Sequence, residues 1–354
     1  MEHTASIRKI LELMDHPAFY VREGTVVCAN AAAQARLVHE GAALAPLLGA
    51  CLGEYRSFSG GSLSLPLTIG TSVCCASVER LDEGDLFVLV PDSDDEELRT
   101  LALAAQQLRL PLNQLLGAAD ELFPRLARDR EPEEVRQLAA MNRSLYQMLR
   151  LVLNMSDARQ STAARMELQD LTAVLQEVFD RSAQLVQEAG RTLRFTNLPQ
   201  SIYSLADSSC LERAVYNLIS NALRHSGPGC AVEARLTRKG SRLYLTVCNS
   251  GGDAAPAGAF SRFLREPGLE DSRNGLGLGM RLVQSAAAAH GGTVLMEPVR
   301  GGMKVTMSIA IRQDGGTLHS PALRIDYAGE RSHALIELSD QLPGSLYLPR
   351  DHSR

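Results

Sequence analysis

Five things are missing from this chain, and each removes a class of function. It has no apolar run of about 18 residues that could cross a bilayer as a helix. Its opening stretch, MEHTASIRKILELM, reads as a mixed amphipathic helix start rather than a signal peptide. No block of basic residues stands out, and the net charge of -5 argues against a nucleic-acid footprint. The seven cysteines (Cys28, Cys51, Cys74, Cys75, Cys210, Cys230 and Cys248) are odd in number and form no CxxC pair, which indicates neither a zinc site nor a disulfide framework. Together these absences predict a cytoplasmic protein with reduced thiols, no membrane span and no nucleic-acid partner. The fifth gap matters later: none of the eight histidines lies between residues 40 and 224.

The 354 residues, 45% hydrophobic and 22% charged, suffice for two or three globular domains. Residues 1–92 read as a small α+β module. A helix over Ile7 to Met14 leads into strand-like runs, AFYV, TVVCAN, SLSLPLTI, SVCCASVERL and DLFVLV, separated by turns such as Arg22-Glu23-Gly24 and Ser59-Gly60-Gly61. Residues 93–160 change period. After an acidic stretch with Ser93 as a candidate N-cap, leucines recur every seven residues at Leu101, Leu108, Leu115 and Leu122, beside a second series, Leu98, Ala105, Leu112 and Ala119. A second helix starts near Pro132 and carries Leu138, Leu145 and Val152, with Met141, Met148 and Met155 three residues after each. Two such helices make an antiparallel hairpin whose apolar seam predicts a homodimer, a four-helix bundle with the methionines as core fillers.

Residues 161–312 predict an α/β sandwich: a helix over Leu171 to Ala189, a strand TLRFTNL, a helix over Leu211 to His225, adjacent antiparallel strands VEARLTR and RLYLTVCNS, a glycine-rich stretch with its helix, and two closing strands. Residues 313–354 form an appendage with a strand-like ALRIDY and a helix over Ser332 to Leu342.

Chemistry concentrates in three places of the 161–312 region. Asn217 and Asn221 are four apart in a helix and share a face, where paired carboxamides could reach a metal–phosphate group with the Arg224 cation close by. A helix with two polar surface residues has the same spacing. The strand LTVCNSGGD ends in Asn249-Ser250-Gly251, which suits recognition of a flat base or simply a hairpin loop. In NGLGLGMRLV, the glycines Gly275, Gly277 and Gly279 open onto a helix, an arrangement that lets backbone N–H groups approach a polyanion. Each alone is a weak signal; the three in this order are specific.

Over roughly residues 95–312 these motifs resemble the sensor histidine kinases, whose ATP-binding domain is a Bergerat-type (GHKL) sandwich. NLISNALRHS is similar to the family's asparagine box, VCNSGG to its first glycine box and GLGLGMRLV to its second. The resemblance implies ATP and Mg²⁺ as ligands, with Asn221 binding Mg²⁺ and Asn217 beside it. Arg224 stands where the family has a phosphate-contacting lysine. Asn249 stands where it has the aspartate that bonds the adenine amine, followed by Gly251, and Asp253 replaces that box's second glycine. Phe260 and Phe263 fall at the family's phenylalanine motif, and Gly275, Gly277 and Gly279 at the lid hinge. The first ninety residues resemble a PAS domain, AFYVREGTVVCANAAAQ matching its opening hairpin and first helix.

The departure lies at the phosphoacceptor. The family has a histidine, an acid, then leucine-arginine-threonine-proline-leucine; this chain reads Gln106-Gln107-Leu108-Arg109-Leu110-Pro111-Leu112. Gln106 has no basic lone pair to attack a γ-phosphoryl group, and Gln107 cannot orient an imidazole or take its proton. The resemblance therefore implies a pseudokinase: an ATP-binding scaffold whose partner is a response-regulator receiver domain or another kinase. Two alternatives stand beside it: an active kinase that phosphorylates a partner's histidine or serine, and an interaction module without nucleotide.

Overall fold

A computed structural model describes residues 2–89, 96–127, 130–157, 165–227, 229–251, 278–313 and 331–348. After helix α1 (Glu2–Glu12) come the hairpin β1 (Ala18–Arg22) and β2 (Thr25–Ala29), the short helices α2 (Ala31–Ala35), α3 (Leu44–Leu48) and α4 (Leu52–Ser57), and the strands β3 (Ser62–Ile69), β4 (Ser72–Leu81) and β5 (Gly84–Leu89). These strands follow the alternating runs of the sequence. Phe19, Val21, Leu63, Leu65, Leu67, Val78 and Phe87 turn into one apolar core, with Phe19 and Phe87 stacked at 4.9 Å. Asn30 caps α2 by accepting from the Ala33 N–H at 2.9 Å, and its amide donates to the Leu11 carbonyl of α1 at 3.2 Å and to the His16 carbonyl at 2.8 Å.

Two long helices follow, α5 (Glu96–Ala127) and α6 (Pro132–Asp157), packed against each other as a hairpin. Pro111 and Pro124 lie inside α5. Pro111 has no N–H to offer the carbonyl of Gln107, so one helical bond is missing beside Gln106 and Gln107. Of the two heptad series, Ala105, Leu112 and Ala119 are buried within the chain, while Leu108, Leu115 and Leu122 remain half exposed. Met141 and Met148 are exposed too, so in the single chain these methionines fill no core.

The remaining region builds β6 (Glu167–Asp170), α7 (Leu171–Glu188), β7 (Thr192–Thr196), β8 (Tyr203–Ala206), α8 (Ser208–Arg224), β9 (Ala231–Lys239), β10 (Arg242–Cys248), α9 (Leu278–Ala289), β11 (Val294–Val299) and β12 (Gly302–Ala310). Asp170 and Asp207 cap α7 and α8. Because β7 pairs with β9 in parallel, a crossover is needed, and α8 lies in it. Helices α7, α8 and α9 share one apolar core with the sheet; Leu211, Val215 and Leu218 line the buried face of α8.

All strands but β6 and β8 belong to one ten-stranded sheet, ordered β2-β1-β5-β4-β3-β11-β12-β10-β9-β7. The N-terminal module joins the rest where Ser62, Leu63 and Ser64 of β3 pair with Met296, Leu295 and Val294 of β11. Glu54 fastens this junction: its carboxylate accepts from Thr293 and Ser308, at 3.2 and 2.5 Å, and meets the Arg242 guanidinium at 3.0 Å.

The C-terminal helix is shorter than its sequence pattern suggests. It runs as α10 (His333–Glu337), capped by the Ser332 hydroxyl, instead of reaching Leu342. Beyond it the backbone keeps only turn bonds, such as Gln341 N–H to the Leu338 carbonyl at 2.8 Å, while the Ser339 carbonyl accepts from two residues of α6, Arg143 Nε at 2.9 Å and Gln147 at 3.3 Å. Ile336, Leu338 and Leu342 nonetheless point into the core shared by the hairpin and α8. The expected strand ALRIDY lies outside the described residues.

Candidate functional site

The site is assembled around α8. Asn217, Asn221 and Arg224 recur at i, i+4 and i+7 and occupy one stripe of that helix. Asn217 is buried; its amide donates to the Arg213 carbonyl at 2.9 Å, which fixes the direction of its Oδ1. That oxygen faces the first turn of α9, where a Cβ on Gly279 would stand 2.6 Å from it. Glycine is required there by approach, not by backbone twist, and the asparagine-rich helix and the glycine-rich stretch meet at this contact although sixty residues separate them in sequence. Gly275 and Gly277, together with Asp253, Phe260 and Phe263, lie outside the described residues, as does Ser93.

Asn249 ends β10, 4% exposed. Its amide donates to the His225 carbonyl at 2.7 Å and its Oδ1 accepts from the Met303 N–H at 3.2 Å. The side chain thus braces the end of α8 against β10 and β12, a role its sequence position did not disclose. Each of its polar atoms keeps one further bonding position, since an amide oxygen accepts twice and its nitrogen donates twice. Beside it the Gly227 N–H donates to the Ser250 carbonyl at 3.0 Å. Gly251 has a φ of +73° and lies so close to Cys230 that a Cβ would be 2.3 Å from the sulfur. The three motifs therefore converge: Asn217 on Gly279, and Asn249 on the turn that follows Arg224.

Arg224 is three-quarters buried and 3.5 Å from the carboxylate of Asp340 in the C-terminal segment. Burial pulls its pKa down, and Asp340 opposes that. A second cation enters from the hairpin. Arg150 of α6 is buried and donates to the Ser220 hydroxyl at 3.2 Å and to Asn217 Oδ1 at 3.4 Å. It also bonds the Asp340 carboxylate and lies 3.6 Å from Glu337. Neither Arg150 nor the two C-terminal acids could be found from sequence, because nothing local announces a partner 190 residues away. Gln106 and Gln107 sit exposed on α5.

Parts of the chain are similar to known proteins. Residues 206–313 match the family model described as "Histidine kinase-, DNA gyrase B-, and HSP90-like ATPase". The sensor protein KdpD of Mycobacterium tuberculosis is 28% identical over 247 residues, 67% of this chain and 28% of that protein. The sensor protein RstB of Escherichia coli is 28% identical over 251 residues, 62% of this chain and 55% of that protein. Among solved structures, full-length ShkA in complex with AMPPNP is 24% identical with a TM-score of 0.47, covering 60% of this chain and 46% of ShkA. The chain spans between about a quarter and about half the length of the two curated relatives. Fold and motifs define a GHKL-type ATPase domain over the α8-to-β12 region. Beyond that domain the chain is similar to sensor histidine kinases over 67% and 62% of its length in the two relatives named.

Proposed function

We propose that this protein binds ATP–Mg²⁺ as a two-component signalling protein and does not phosphorylate itself by the family's route. The observation that carries the reading is the convergence of Asn217, Gly279 and Asn249 around α8, with an exposed Gln106 where the acceptor imidazole would stand. The residues suit the ligand. Mg²⁺ prefers a single protein oxygen with phosphates and waters completing its shell, which the carboxamide of Asn221 can supply. Arg224 provides a permanent cation for phosphate oxygens, and the start of α9 provides a helix N-terminus. Asn249 can accept from the adenine amine with the free position on Oδ1, more weakly than a carboxylate would.

Bound ATP would carry the γ-phosphoryl group, but the 93–160 hairpin holds no histidine to receive it, so in this reading the output is conformational. The apolar stripe of Leu108, Leu115 and Leu122 is the surface through which the hairpin would pair with a second copy. The surrounding α5 and α6 surface would receive a response-regulator receiver domain or another kinase. The N-terminal module, with its opening hairpin β1–β2 and α2 in the order of a PAS domain, would supply the input. In this reading the segments 1–92, 93–160, 161–312 and 313–354 are the sensor, the hairpin, the nucleotide domain and an appendage.

The test is incubation of the full chain with γ-labelled ATP and Mg²⁺ beside Gln106→His. Label on the variant alone is expected: a working nucleotide site behind an absent acceptor. Label on the native chain overturns the pseudokinase reading and points to another acceptor. No label on either, together with no ATP binding in a titration, leaves an interaction module without nucleotide.

A further inference from the structure

The C-terminal segment, residues 331–348, docks across the hairpin and α8 at once. One end is held by Arg331, whose guanidinium meets Asp120 of α5 at 2.6 Å. Its middle is held by α6: Arg143 bonds the Ser339 carbonyl at 2.9 Å and the Asp340 carbonyl at 3.0 Å, and Asn142 bonds the Tyr347 carbonyl at 2.9 Å. Its acids go to α8. Glu337, fully buried, meets Arg213 Nε at 3.0 Å and lies 3.6 Å from Arg150. Asp340 bonds Arg150 and stands 3.5 Å from Arg224.

We propose that this segment is an intramolecular clasp, in which the Asp340 carboxylate takes the position of a phosphate group on Arg224 and Arg150, so that docking of the segment and binding of ATP–Mg²⁺ oppose each other. The proposal rests on the nucleotide reading of the α8 stripe. Its physical basis is competition for charge. Arg224 belongs to the same stripe as Asn217 and Asn221, and Arg150 touches Asn217 directly. A carboxylate and a phosphate oxygen are both anionic acceptors for a guanidinium, so Asp340 satisfies the cations that a triphosphate would need. Docking also bridges α6 and α8, since the segment bonds Asn142 and Arg143 of α6 while its acids meet Arg213 and Arg224 of α8. By linkage, whatever the segment subtracts from nucleotide affinity, the nucleotide subtracts from segment docking.

Deleting the segment would expose Ile336, Leu338, Leu342 and Tyr347, all buried, so a single isosteric change is the better test. Binding of Mg²⁺–AMPPNP is measured by titration calorimetry on the full chain and on Asp340→Asn, with hydrogen–deuterium exchange followed over residues 333–347. The proposal expects the variant to bind about fivefold or more tightly, and nucleotide to speed exchange at the Ile336 and Leu338 amides of the native chain. Equal affinity in both proteins with unchanged exchange overturns the clasp while leaving nucleotide binding intact. Weaker binding by the variant overturns it as well, since Asp340 would then assist the ligand. Absence of binding by both proteins overturns the nucleotide reading itself, and the clasp with it.

Discussion

His290 closes α9 and shows how much a single buried residue can decide. Its Nδ1 lies 2.7 Å from the Ala286 carbonyl and its Nε2 accepts the Asp207 N–H at 3.0 Å, so the neutral tautomer with the proton on Nδ1 satisfies both contacts. Burial is the main cause that pulls its pKa below the ordinary imidazole range; Arg312 adds to this, while the Ala286 carbonyl and Asp207 oppose it. The unfolded chain takes up a proton near pH 6.5 that the folded ring refuses. The stabilisation is therefore complete above that pH and is lost as pH falls through the lowered folded value. His290→Gln is expected to cost about 1–3 kcal/mol at pH 8 through bonds left unmade, and to lose less stability than the native chain between pH 7 and 5. Thermal melts of both proteins across that range would decide, and parallel curves would count against the assignment. At this scale the sequence pointed to Asn217, Asn221, Arg224 and Asn249 through their spacing and neighbours. It could not show that both ends of the Asn249 amide brace the fold, because its partners His225 and Met303 are 24 and 54 residues away.

Among the elements, the hairpin exposes what it has no means of burying alone. Leu108, Leu115 and Leu122 are 52%, 55% and 50% exposed, and Met141 and Met148 on α6 are 58% and 51% exposed. Such a heptad stripe on paired helices has the spacing that a four-helix bundle seam requires, and a dimer is proposed on that ground. Replacing both Leu115 and Leu122 with Glu is expected to convert a dimer to a monomer with unchanged helix content. Each leucine withheld from an interface costs about 1.5–3 kcal/mol, and four such positions in a dimer weaken association by more than about 100-fold. Light scattering coupled to gel filtration reads the mass directly; a native chain already monomeric at tens of micromolar would argue against the bundle. The heptads were legible because period is a local property. Which series faces inward was not, because both repeat every seven residues and only packing against α6 separates them.

For the whole molecule, the continuous sheet is the dominant fact. Pairing of β3 with β11 makes the N-terminal module and the nucleotide domain a single β-structure, and Glu54 crosses the junction to Thr293, Ser308 and Arg242. The Glu54 and Arg242 side chains are only 11% and 13% exposed. Removing one partner of so enclosed a pair leaves the other charge uncompensated, so Glu54→Gln is expected to lower stability by about 3 kcal/mol. Exchange at Leu63 and Leu295 should quicken more than exchange in β9 and β10. Uniform quickening would show instead that the junction is not a separate weak point. Among the described residues, no helix is long and apolar enough to cross a membrane.

By itself the sequence determined most of the elements: the alternating strands, the heptad helices, the helices α7 and α8, and the order of the three asparagine and glycine motifs. The resemblance drawn from it sets Gln106 against the family's acceptor histidine, and the structure leaves that residue exposed on α5. These elements are consequences of side-chain period and residue identity, both of which act within a few positions along the chain. Only the tertiary structure decided that β3 joins β11, that Arg150 reaches Asn217, and that Glu337 and Asp340 close over Arg213, Arg150 and Arg224. An edge strand carries no label for its partner, and an arginine none for its acid. Such pairings are set by which surfaces the packed core brings within a few ångströms of each other.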